Sequence, residues 1–524
     1  MIFRKGQFEP VRHLLPLNAF TWGMLLLSLC CYLFIGYGLS REQFTVYFSC
    51  YLLLFAAYLQ LLKRNEHSQH DQPGFKNTEG LSAESTSLLL NRKSDLQMLL
   101  AAAIVFRLVF LFSMPSLSDD YFRFAWDGFM WTHGENPFTI IPSAYLQESG
   151  PQPDYLMELF NGMNSPKYYT VYPPVCQFIF GISAQLFPSN LSGTVIVMRT
   201  FCIAAETGTI ILLLKILAHF NLPRRNVLLY ALNPLVIMEG SGNLHFEVIM
   251  IFFLVLAIYL LIQATHYIKP VEEPFSFFSP KQTALITKEQ SKNTAYQQSR
   301  ITRRKMIYSA LSFSAAISVK VIPLLFLSFL IRRLKWKHSL LYFFITGFFF
   351  LLLLIPFLNQ QLLTQWGSSL QLYFQHFEFN ASIYYVVRWI GFQFVHYDIV
   401  RQAGPWLAVI TFISILFFAV KEKENSWKFF FHAIQWSLTI YLLLATTVHP
   451  WYIIPLVMCS VVTGYKYPLV WSLFIALSYA TYQTIPYQEN LALVAIEYAA
   501  VIVVLIFELN IFRKKKQLLF PPSH

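Results

Sequence analysis

The sequence predicts an all-α polytopic membrane protein, and three observations carry that prediction. Its 524 residues are 56% hydrophobic and only 13% charged, with a positive mean hydropathy of +0.48, whereas soluble chains carry roughly 25% charged residues. Apolar runs near the length of one bilayer crossing recur along the whole chain. Lysine and arginine are also distributed unevenly between the connections that join those runs.

Taken in order, the apolar segments fall near 15–38, 43–62, 95–114, 193–219, 226–241, 246–264, 306–318, 321–331, 338–357, 404–420, 428–446, 452–465, 467–485 and 490–512. They predict about 13–14 transmembrane helices. The first is too long for the apolar core of a signal peptide, and no small-residue cleavage site follows it, so it reads as a retained span. Segments 306–318 and 321–331 lie between the basic clusters TRRK and RRLKWK. They read as a short hairpin whose tip, Ser318-Val319-Lys320, points outward. Polar tracts at 63–94 and 265–305 lack helical periodicity and read as linkers. The resulting division is 1–94, 95–465 and 466–524, with outer loops at 115–192 and 358–403.

With the N-terminus inside, 30 of the 39 Lys and Arg residues fall in inward connections and five in outward ones. That asymmetry is the positive-inside pattern and places both termini in the cytoplasm. The net charge of +12 therefore reports topology and not nucleic-acid binding. The six cysteines form no CxxC pair and no Cys/His metal spacing, so neither a disulfide framework nor a zinc site is implied.

The first outer loop opens with SDDYFRFAWDGFMWTHGENPF at 118–138. Phe122, Trp126, Phe129 and Met130 recur at helical spacing, opposite Asp120, Arg123 and Asp127. This predicts an amphipathic helix in the membrane plane. The stretch YPPVCQFIFGISAQLF begins with prolines suited to a helix start and is too short to span. Spacing allows Asp119 to pair with Arg123, leaving Asp120 on the polar face with Asp127. An unpaired carboxylate at the membrane boundary suits a general base that deprotonates an acceptor hydroxyl. Asp119 and Asp120 are thus the catalytic candidates, with Asp127 structural through Arg123. The bland alternative is a solvated helix cap.

The chain has no G-x-G-x-x-G after a strand and no P-loop. Nothing in it offers a soluble α/β portion that could hold a nucleotide sugar. An outward-facing enzyme would instead draw its activated sugar from the membrane.

The motifs SDDYFRFAWDG, GENPF and YTVYPPV resemble the first outer loop of the GT-C glycosyltransferases that use polyprenyl-phosphate sugars. ALNPLVIMEGSGNLHFE, SVKVIPLLFLSFLIRR, FNASIYYVVRW and TTVHPWYIIP are similar to later blocks of that superfamily, in the same order. The likeness is greatest to bacterial membrane mannosyltransferases of the alpha-mannosyl type and runs from about 95 to 465. It implies GT-C architecture in the bacterial cytoplasmic membrane, an outward site, a lipid-linked donor and transfer with inversion. Mannose, over another hexose, is implied by this resemblance alone.

Lys320, at the hairpin tip, is an ionisable group at membrane depth and a candidate for the donor phosphate. Arg388 could clamp phosphate oxygens bidentately, and His449 could donate a hydrogen bond to the leaving group. Glu239, Asn243, His245 and Glu247 crowd one outer turn that could hold the acceptor or help bind a divalent ion, although their spacing matches no metal motif. Arg107, Arg199 and Glu206 read as a structural set within the spans. The expected partners are a polyprenyl-phosphate sugar, membrane lipids and a glycan, glycolipid or protein acceptor. The rival class is a transporter or lipid-linked sugar flippase. It would predict broken helices in two matching halves, and no internal repeat is visible.

Overall fold

The computed structural model describes residues 17–70, 83–148, 150–266, 283–362, 364–365, 367–368, 377–484 and 486–519. Parts of both polar tracts, 71–82 and 267–282, lie outside these residues, as do 1–16 and part of the second outer loop, 369–376. Among the described residues the chain is helical throughout. The only strand-like feature among them is an isolated parallel bridge between Phe379 and Thr447.

The helices that matter for function are α1 (Ala19–Tyr37), α2 (Phe44–His70), α3 (Ala83–Val109), α4 (Asp120–Thr132), α5 (Asp154–Gly162), α6 (Pro174–Leu186), α7 (Leu191–His219), α8 (Glu247–His266) and α9 (Thr283–Ile317). They are followed by α10 (Trp336–Leu354), α11 (Ile383–Val395), α12 (Val400–Lys421), α13 (Trp427–Leu444), α14 (Ile454–Thr463), α15 (Tyr467–Phe474) and α16 (Leu491–Leu519).

Among the described residues, seven helices are long and apolar enough to cross a bilayer: Ala19–Tyr37, Phe44–Lys63, Leu191–His219, Glu247–Thr265, Trp336–Phe357, Val400–Lys421 and Leu491–Ile511. These match seven of the fourteen apolar segments. Two others, 95–114 and 306–318, are the apolar ends of longer, partly polar helices, α3 and α9. The segment at 428–446 is α13. The remaining four are broken. At 226–241, Asn233 and Pro234 end one short helix and start the next, and the chain then winds into a π-turn at Ile237–Gly242. The segments at 321–331, 452–465 and 467–485 run partly as 3-10 helix, at Ile322–Phe329, Pro450–Ile453 and Ile475–Gln483. Proline at the start of a turn suits such breaks, because it lacks the N–H that a continuing helix would need.

The polar tract at 265–305 is helical from Thr283 onward, as the first half of α9. Its polar residues hide the helical signal because no face of it is consistently apolar.

Two short helices, α4 and α6, pack as a pair over the spanning bundle. The approach is close: a Cβ on Gly128 would lie 2.4 Å from the Phe180 carbonyl oxygen, and one on Gly181 would lie 2.1 Å from the Trp131 ring. Only glycine fits at these two crossings. The sequence expects the polar face of α4 to be wet. Instead Arg123 and Asp127 are buried beneath the segment at 165–172, which Arg123 helps to hold.

Candidate active site

The acidic pair divides. Asp119 precedes α4 but its side chain makes no cap to that helix, which removes the bland reading for it. It does not pair with Arg123, as i,i+4 spacing suggests. Its carboxylate meets Arg41 at 2.5 Å, in the turn between α1 and α2. Arg123 turns the other way and binds Asp127 at 2.7 Å. The expected structural role of Asp127 is therefore what the contacts give.

That buried pair fixes a loop. Arg123 also donates to the carbonyls of Ser165 (3.1 Å) and Tyr168 (2.8 Å). Asp127 accepts from Gln177 of α6 at 3.0 Å, and Gln177 in turn reaches the Tyr172 carbonyl at 3.2 Å. The loop so held presents two groups to Asp120: Asn164 donates to Oδ1 at 3.1 Å and the Tyr172 hydroxyl to Oδ2 at 3.2 Å. Burial raises the Asp120 carboxyl above the ordinary carboxylate range, while these two hydrogen bonds and the charge of Lys320 oppose the rise.

Lys320 stands at the turn between α9 and the following 3-10 helix. α6 ties that turn down: the Val175 N–H donates to the Ser318 carbonyl at 2.9 Å, and Cys176 Sγ to that of Val319 at 3.3 Å. The ammonium pairs with Glu247 Oε1 at 2.9 Å. The rings of Tyr172 and Tyr452 flank it, each centroid 5.9 Å from Nζ. Its side chain keeps 22% of its surface open, and an ammonium has three donors, so capacity for an anion remains.

Glu239 sits in the π-turn. It accepts from Tyr479 (2.7 Å) and from Asn243 (3.2 Å), and lies 3.4 Å from His245 Nε2. Asn243 also accepts the Leu117 N–H at 3.4 Å, tying this turn to the start of the acidic loop. Arg199 holds the turn from behind through the carbonyls of Ser241 (2.7 Å) and Gly242 (3.0 Å). Arg107 pairs with Glu206 at 2.9 Å, and Glu206 accepts from Ser241. The expected structural set is thus a scaffold for the turn. Among the described residues, no three His, Cys, Asp or Glu side chains gather as metal ligands.

A stack of four rings joins this turn to the later part of the chain. His245 lies on Trp451 with centroids 3.5 Å apart, Trp451 on His449 at 4.4 Å, and His449 beside Phe379 at 5.1 Å. Burial first, and then the charge of Lys320, push the His449 pKa down to about 3. Its imidazole is neutral, and among the described residues its Nδ1 has no hydrogen-bond partner. A neutral ring with one free nitrogen can donate one hydrogen bond or accept one.

Arg388 stands apart from Lys320. Its guanidinium pairs with Glu378 at 2.5 Å and lies over the Tyr385 ring at 4.7 Å. The nearby Asn380, first residue of an NAS triplet, is fully buried, and donates to both oxygens of Glu497 at 3.2 and 3.1 Å. As folded it cannot serve as a glycosylation acceptor.

The structure therefore brings together Asp120, Lys320, Glu247, Glu239, Asn243, His245 and His449. Arg388 joins them only through the segment that carries Phe379. Sequence reasoning missed Tyr172, Asn164, Arg41 and Tyr479. Tyr172 lay within the quoted YTVYPPV, but no local pattern pointed its hydroxyl at Asp120.

A family model described as alpha-(1->6)-mannopyranosyltransferase, N-terminal domain, matches residues 35–335, more than half of the chain. No curated protein and no solved structure matches. The matched range takes in both carboxylates, the π-turn and Lys320, and it reaches back to include α2. His449 and Arg388 lie beyond it.

Proposed function

This chain belongs to the alpha-(1->6)-mannopyranosyltransferase family, and we propose that it takes its mannose from a polyprenyl phosphate and transfers it, with inversion, to an acceptor hydroxyl at the extracytoplasmic face. Asp120 accepts the proton of that hydroxyl as its oxygen attacks the anomeric carbon. The bond from that carbon to the phosphate oxygen breaks on the opposite side, and polyprenyl phosphate leaves. The negative charge on the departing phosphate is met by Lys320, with a hydrogen bond from His449, while Arg388 stays with Glu378 outside this set. Inversion to an α product requires a β-linked donor. Glu239, Asn243, His245 and Glu247 line the acceptor side, where a glycan, glycolipid or protein would present its hydroxyl.

One observation carries the choice of a lipid donor. Directly after Lys320 a cavity of about 330 Å³ opens, lined by Val321, Ile322, Leu325, Phe412, Tyr441 and Thr447 among others. Its walls come from the 3-10 helix, α12 and the end of α13, and they are almost wholly apolar. Thr447 is two residues from His449. A nucleotide donor has no use for such a wall, whereas a prenyl chain whose phosphate sits at Lys320 would lie along it. The outward placement rests on the distribution of Lys and Arg.

The test is direct. Purified protein is incubated with polyprenyl-phosphate mannose or with nucleotide-linked mannose, and consumption of each is followed. The proposal requires turnover of the lipid donor. Turnover of the nucleotide donor alone would overturn it.

A further inference from the structure

His449 stands in the proposed site with its Nδ1 unpartnered among the described residues, so the ring is oriented by what packs on it. Its stacking neighbours are Trp451, at 4.4 Å between centroids, and Phe379, at 5.1 Å. Phe379 is also tied by its backbone to the residues just before His449. Its N–H donates to the Thr446 carbonyl at 3.1 Å, and its carbonyl accepts the Val448 N–H at 2.8 Å. The Thr447 hydroxyl adds a bond to the Phe377 carbonyl at 3.0 Å. The pose of the imidazole thus depends on where the segment at 377–380 is held.

That segment is held from the last helix. Asn380 is fully buried and has a left-handed φ of +49°, which asparagine tolerates better than most residues. Its N–H donates to Glu489 at 2.5 Å, and its carbonyl accepts the Tyr498 hydroxyl at 2.7 Å. Its side-chain amide donates to both oxygens of Glu497, at 3.2 and 3.1 Å. Glu489 lies just before α16, and Glu497 and Tyr498 lie within it. Glu497 is wholly buried and also accepts the indole N–H of Trp471, from α15, at 2.8 Å. A carboxylate buried inside a spanning helix is costly and marks a functional role by default. Here its side chain grips the amide that anchors the segment carrying Phe379.

From this chain of contacts we propose that Glu497 and Asn380 are positioning residues for the transfer. They fix Phe379, and through it they orient the imidazole that donates to the departing phosphate. The proposal rests on the reading of His449 given above and adds to it two residues remote from the reacting groups. A displacement of about 1 Å at a group that contacts the transition state can cost on the order of 100-fold in rate. The last spanning helix thereby acts on the reaction without lining the site.

The test measures kcat and donor KM on polyprenyl-phosphate mannose, with the melting temperature of each full-length variant. Glu497→Leu is expected to lower kcat roughly tenfold or more while donor KM changes by less than about twofold. Glu497→Gln should recover most of that loss, because its amide oxygen still accepts from Asn380 and Trp471. In a His449→Ala background, Glu497→Leu should cost little further, since both changes remove one contact. Should Glu497→Leu not fold, Asn380→Gly keeps the left-handed backbone, removes the amide and should show the same pattern. Equal losses in the parent and His449→Ala backgrounds, or a raised KM with kcat intact, overturn the positioning role alone. Parental turnover by His449→Ala overturns the reading of His449 itself, and the positioning role with it.

Discussion

The Tyr172 hydroxyl donates to Asp120 at 3.2 Å while its ring flanks Lys320 at 5.9 Å, so one side chain touches both the proposed base and the proposed phosphate cation. Burial raises the Asp120 carboxyl and the tyrosine hydrogen bond lowers it. Only the ionised carboxylate can accept a proton, so transfer should be lost as pH falls through the Asp120 pKa. Tyr172→Phe removes a lowering influence. The acid limb of the kcat/KM profile should therefore move to higher pH. A limb that stays in place, or moves lower, would separate Asp120 from the step that limits kcat/KM.

Asp120→Asn keeps the size and polarity of the side chain but removes the proton acceptor. Transfer should fall by about 100-fold or more, the usual worth of a positioned base, while binding of the lipid donor changes little. Asp119→Asn should be milder. Its effect should not add to that of Arg41→Gln, since both break one pair. If the ranking of the two aspartates is reversed, their roles are exchanged.

Lys320→Ala removes the cation nearest the apolar cavity. Loss of one charge-assisted contact to a departing phosphate costs roughly 2–4 kcal/mol of transition-state stabilisation. The variant also leaves Glu247 buried without its partner, so Lys320→Ala/Glu247→Gln serves as the companion. Turnover should stay low in both, and protein yield should recover in the second. Near-normal turnover in the double variant would place the phosphate elsewhere.

Asp127→Ala strands the buried Arg123 charge, a loss of about 3–5 kcal/mol for a buried pair. A melting temperature well below that of the parent is expected, together with a smaller change in turnover per folded molecule. An unchanged melting temperature would show that the loop at 165–172 is held by other contacts.

Orientation can be read from outside the cell. In a background without reactive cysteines, Glu148→Cys in the first outer loop should react with an impermeant thiol reagent. Asn425→Cys, between α12 and α13, should not. Labelling at 425 in intact cells would reverse the topology and remove the argument for a donor drawn from the outer leaflet.

The parts of this architecture legible in the sequence are those set by neighbours a few residues apart. Length and uniform apolarity announced the seven long helices, and four-residue spacing made the Arg123–Asp127 pair readable. What failed was set at a distance. Asp119 and Arg41 are 78 residues apart, and Tyr172 reaches Asp120 across 52, so no local pattern could choose them over Arg123. The broken segments misled for a related reason. Their apolar residues satisfy a span by composition, while prolines and the carbonyl contacts of Arg199 impose the π-turn that carries Glu239. Lys320 and His449 were legible as unusual residues in apolar surroundings, but not as neighbours of one cavity.

The Arg41–Asp119 pair ties the first two helices to the proposed site. Arg41 hangs on the turn between α1 and α2, and that turn can approach α4 only if both helices are inserted and packed. A chain shortened to begin after residue 94 would keep every proposed catalytic side chain and lose the counter-ion of Asp119. A second uncompensated carboxylate beside Asp120 would then hold the base protonated to higher pH. The N-terminal hairpin thus carries the charge that balances the acidic pair.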